Sequence, residues 1–269
     1  MNEKDDFTLT GVALVAFLGV GVLIGAAFGV NIGVSEITRS FLGAFFGAAF
    51  AFFVSEFRRG IDQRQANIQS GNLTQFIIAG YINECWELRA MLRHRISKCR
   101  ADFGDTPDWY LLNPTLISID DSTRFDFQQL AYLLDSLSGR ALLPHIRQSE
   151  RLHSNLAGTM RAQHKAAEDL QVAGVDLARG QPHATFEEIA VHVGPELVAR
   201  NRDLFRAVLL RAERDHLRHS ELLNNLTAEL SARFGRKNVW ILSIKPEERF
   251  SEPQLPALPV DLLRWLNEQ

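Results

Sequence analysis

The sequence predicts an all-α membrane protein, in which an N-terminal two-helix transmembrane hairpin precedes a cytosolic helical bundle with long antiparallel helices and a minor extended segment. Three observations carry this expectation. From Gly11 to Val34 there is no charged side chain, and about 20 apolar residues suffice for a helix to cross a bilayer core. A second apolar run, Phe41 to Val54, follows closely. Beyond it, apolar residues recur every three or four positions through most of the chain, which is the period of an amphipathic helix.

The first span is expected over about 11–34. Its leader MNEKDDFTLT is acidic and the run exceeds a signal-peptide core, which argues for a retained span rather than a cleaved segment. The second is expected over about 37–57, with Arg39 and Glu56 snorkelling to the interfaces and Ser35–Ser40 as the turn. Within the first span Gly21, Gly25, Gly29 and Gly33 recur every fourth residue; Gly43, Gly47, Ala51 and Ser55 repeat the spacing in the second. Residues four apart share a helix face, and small residues let helix backbones approach where water no longer drives association. These two strips are therefore the expected packing surface, within one hairpin or between chains. Arg58, Arg59 and Arg64 follow the second span directly, and basic flanks stay on the cytoplasmic side. Both termini are then cytoplasmic, and the expected location is a bacterial inner (plasma) membrane.

From residue 58 onward, 27 Lys and Arg balance 27 Asp and Glu, so the bulk positive charge of a nucleic-acid-binding domain is absent. The domain organisation expected is a hairpin over 1–57, a bundle over 58–250 and a Pro-rich tail with a short terminal helix over 251–269. In the bundle, Ile78, Tyr81, Cys85, Leu88, Leu92, Ile96 and Cys99 form one stripe of a first helix. Its other side carries Arg89, Arg93, Arg95, Lys98 and Arg100, either a solvated surface or a face for an anionic partner. Cys85 and Cys99 stand too far apart along such a helix to form a disulfide.

After a Gly/Pro-rich loop, Trp109–Asp120 is aromatic and β-branched and is expected to be extended. A helix is expected over Phe125–Leu137, begun by Asp120, Asp121 and Ser122. Next come a long helix over about 142–172 with Ile146, His153, Leu156, Met160 and Leu170 inward, a short one over 186–191, and the longest over about 196–234. The stripe of the last one includes Phe205, Val208, Ala212, His219, Leu223 and Leu226. The segment Asn238–Ile244 is β-like, and prolines at 253, 256 and 259 form a polyproline edge.

Two Glu-x-x-His motifs, Glu150/His153 and Glu213/His216, fall on the two long helices. Di-metal carboxylate bundles use two such motifs, because Glu and His three apart converge on one inward point, together with one Glu from each of two further helices. Glu84 and Glu87 fall off their helix stripe, and no second supporting Glu is evident, so no metal and no cofactor is expected. Phosphate loops, Cys-x-x-Cys pairs and nucleophile elbows are missing from the sequence. The expectation is thus a non-catalytic membrane-anchored scaffold or sensor. Its partners would be the lipid bilayer, further copies of itself through the spans, and a cytosolic protein. The alternatives are an oligomerising, membrane-permeabilising effector gated by its cytosolic domain, and the di-metal bundle.

Overall fold

The structure is a computed structural model that describes residues 36–103, 119–180 and 186–242. The described residues are mostly helical with no strand: α1 is Glu36–Phe103, a 3-10 turn is Ala131–Asp135, α2 is Leu137–Gly180, α3 is Phe186–Val193 and α4 is Pro195–Phe234. The chain divides into two compact units, with the boundary between Gln65 and Ala66.

In the first unit, α1 begins at Glu36 and contains residues 36–40 of the expected interhelical turn, of which Ser35 lies outside the described residues. No Gly or Pro lies between Ser35 and Ser40 to stop a helix there. Among the described residues no helix is long and apolar enough to cross a membrane. The reason lies in the charges: Arg39 and Glu56 bracket only sixteen uncharged residues, about 24 Å of helix against a hydrocarbon core of about 30 Å. The expected first span over 11–34, with Gly21, Gly25, Gly29 and Gly33, lies outside the described residues. Between 43 and 56 the helix is largely exposed, including Phe45, Phe50 and Phe52.

In the second unit, α1 from Ala66 onward packs with α2 and α4. α4 is antiparallel to both: Gln75 bonds Thr227 while Arg89 meets Glu213, and Ser149 bonds His219 while Gln163 bonds Asn201. Gly71 allows one close approach, since a Cβ there would meet both Leu230 methyls and the Tyr132 hydroxyl within 3 Å. α4 starts on Pro195, whose missing N–H is an orphan at a helix start in any case. It ends at Gly235, whose φ of 84° is open to glycine at little cost.

Three further expectations need correction. The helix over Phe125–Leu137 is a turn and a 3-10 segment. The Asp126 carboxylate accepts the Gln128 N–H, capping a turn in competition with the helix. The polypeptide then bends at extended Ser136 before α2. α2 also begins before the expected start at 142, carrying Pro144 within it. Last, Asn238–Leu242 is turn and irregular chain: Val239 is buried, the Trp240 N–H donates to Asn72, and the Thr227 hydroxyl donates to the Leu242 carbonyl. Of the extended segment expected over Trp109–Asp120, residues 109–118 lie outside the described residues, as does the tail 251–269.

Candidate functional site: a polar layer across the bundle core

The apolar core is divided in two. One cluster is built from Cys85, Leu88 and Leu92 of α1, Leu156 and Met160 of α2, and Phe205, Leu209 and Ala212 of α4. The other gathers Ile78 and Ile82, then Leu142 and Ile146, then Leu222, Leu223 and Leu226 from the same three helices. Between them each helix contributes polar side chains at one level: Tyr81 and Glu84 from α1, Ser149 and His153 from α2, and Asp215, His216 and His219 from α4. His153 and His219 have no solvent-exposed surface, and Ser149, Asp215 and His216 are buried.

Burial makes each of these groups costly unless it is bonded. The His153 Nε2 lies 3.0 Å from the Asp120 carbonyl. A carbonyl only accepts, so Nε2 carries the proton and Nδ1 keeps a bare lone pair. Glu84 Oε2 lies 3.4 Å from the same nitrogen, and the Tyr81 ring stacks on the imidazole with centroids 3.7 Å apart. The Tyr81 hydroxyl donates to the Thr123 carbonyl at 3.0 Å. The His219 ring lies tilted to that of Tyr81 with centroids 5.6 Å apart, and its Nδ1 is 2.8 Å from the Ser149 hydroxyl.

The electrostatics follow from desolvation, which disfavours whichever form is charged. Burial holds His219 down to about 3, with His153 and His216 adding to the effect. His153 and His216 are lowered for the same leading reason. Glu84 is pushed up to about 7 by burial and then by Asp120 and Glu87. Burial likewise raises Asp215 to about 6, against the pull of Arg218, Arg211 and Arg214. At neutral pH the layer is thus a set of neutral imidazoles beside carboxyls held close to protonation.

The Glu-x-x-His residues are brought to different places. Glu150 pairs with Arg124 at 3.1 Å, while His153 faces Asp120. Glu213 Oε1 receives Arg89 at 2.8 Å and Arg93 at 2.6 Å. Among the described residues no group of three or more His, Cys, Asp or Glu is placed to hold a metal ion. The expected basic face is likewise divided: Arg89 and Arg93 turn to Glu213 and are nearly buried, the half-buried Arg95 reaches Met91, and Lys98 is exposed. The Arg100 side chain lies outside the described residues. Gly43, Gly47, Ala51 and Ser55 form an exposed strip, with nothing within 4 Å of a Cβ built on either glycine.

Tyr81, His153 and His219 belong to the apolar stripes legible in the sequence, whereas Ser149 does not. The signal that would have found the site is a polar residue interrupting all three stripes at levels that the antiparallel register brings together. No family model matches the chain, and no curated protein or solved structure is detectably similar.

Proposed function

We propose that this chain is a membrane-anchored helical scaffold or sensor, whose N-terminal apolar segments enter the bilayer and whose bundle binds a cytosolic partner. The observation that carries the reading is the exposure of Phe45 (58%), Phe50 (44%) and Phe52 (69%) on one uncharged stretch of α1. Soluble proteins seldom leave so contiguous an apolar surface open. The uncharged run Gly11–Val34 supplies a length that the stretch between Arg39 and Glu56 lacks. Arg58, Arg59 and Arg64 beside it suit the cytoplasmic interface. For partner binding, support comes from a shallow hollow of about 300 Å³ on the bundle, lined by exposed Leu73, Phe76 and Trp240.

The open strip of Gly43 and Gly47 favours a second reading, in which these segments pack between chains and the assembly permeabilises the membrane. Alkaline carbonate extraction of membranes containing the full chain tests the anchor. Retention in the pellet is the expected result; release to the supernatant overturns it. Dye leakage from vesicles carrying the chain, lost in Gly47→Leu, distinguishes the permeabilising assembly from a simple anchor.

A further inference from the structure

A cleft of about 260 Å³ lies between α2 and α4, directly over the polar layer, with Ser149 and His219 among its lining residues. Its apolar walls are Leu142 and Leu152 of α2 and Leu222 of α4. Arg218, an exposed residue, is also among the lining residues.

The hydrogen bonding at the floor decides what the cleft can hold. The Ser149 hydroxyl and the His219 Nδ1 share one contact, and His219 Nε2 has no hydrogen-bond partner among the described residues. Nε2 is sealed from solvent, so a hydrogen there would find no acceptor, whereas the Ser149 hydroxyl lines the cleft and can meet one there. The tautomer with hydrogen on Nδ1 is therefore favoured, so that Nδ1–H donates to the Ser149 oxygen and Nε2 keeps a lone pair. Ser149 then has its own proton left to give, and among the described residues nothing accepts it. The cleft thus combines a hydroxyl donor, a permanent cation and a partly apolar wall, with the polar side chains of His145, Gln148 and Asn225 also at its lining. Glu221, also at the lining, is the single carboxylate there. Backbone N–H groups around Ser149 are committed within α2, so no donor pair faces the hydroxyl as an oxyanion hole requires.

We infer that this cleft is a binding site for a small aliphatic carboxylate, which accepts from Ser149 and Arg218 and lays its short chain against Leu222. Its volume falls just below the range of about 300–1,000 Å³ for drug-sized pockets, which restricts the ligand to short chains.

The test is calorimetric titration of the purified full chain with butyrate, and in parallel with butyramide and butylamine, which share the chain length but not the charge. Saturable binding of butyrate alone is the expected result, weakened about tenfold or more in Arg218→Gln, because a charge-assisted bond is lost. Arg218 is exposed, so this variant is expected to keep its fold, which circular dichroism verifies. Absence of saturable butyrate binding overturns the inference. So does equal binding of the amide or amine, or an Arg218→Gln variant that binds butyrate as tightly as the parent.

Discussion

Acidification should destabilise the bundle through His219, and the size of the effect follows from its burial. The imidazole has no exposed surface and is held down to about 3, against an ordinary value near 6.5 in the unfolded chain. Between those two values the unfolded state binds a proton that the folded state refuses. Stability from this group is therefore fully present above pH 6.5 and falls with pH, by about 1.4 kcal/mol per unit. At pH 5 the loss from His219 alone is about 2 kcal/mol. Glu84 and Asp215, both raised, act with the opposite sign: each favours the folded state at low pH and loses that contribution as pH rises towards about 7 and about 6 respectively. The net profile mixes both signs, so the informative quantity is a difference. Urea unfolding of wild type and His219→Leu at pH 6.5 and pH 5, followed by circular dichroism, removes one titration and leaves the others in place. The variant should lose about 1.6 kcal/mol less than wild type over this interval, since at pH 6.5 the unfolded imidazole is already half protonated. Equal losses in the two proteins would refute the claim that His219 is buried neutral.

Two further perturbations follow from the packing. Glu213→Gln leaves the nearly buried Arg89 and Arg93 guanidinium groups without their carboxylate, and should cost about 3 kcal/mol in urea unfolding at neutral pH; an effect under about 0.5 kcal/mol would mean the pairing is a surface one. Gly139→Ala drives a Cβ into the Leu133 carbonyl oxygen of the 3-10 segment, whereas Gly158→Ala adds one to open space inside α2. The first should destabilise, and the second should stabilise by about 0.5–1 kcal/mol. Thermal melts of the pair, compared with wild type, should therefore move in opposite directions.

The long helices were legible because their stripes are long and regular. The start of α4 was also legible, since Gly194-Pro195 supplies both a break and a first helical residue. The segment around Ala131 was not. Its apolar residues suit a helix, and the choice of turn depends on Asp126 bonding to its own backbone and on Tyr132 and Leu133 reaching the core. Of the site, His153 and His219 were visible as polar residues on apolar stripes, but their meeting with Tyr81 and Ser149 depends on helix register. Arg89 and Arg93 looked like a solvated face for the same reason. Their partner Glu213 is 120 or more positions away in the chain.

The membrane reading rests on where the exposed phenylalanines lie in the working protein, and depth-sensitive labelling reaches that directly. A spin label at Phe52→Cys, in a full chain with Cys99→Ser and reconstituted into phosphatidylcholine vesicles, reports collision with oxygen, which concentrates in lipid, and with a water-soluble nickel chelate. Membrane insertion predicts high oxygen and low chelate accessibility at position 52, reversed for a label at the exposed Asn225. Equal, chelate-dominated accessibility at both positions would contradict it.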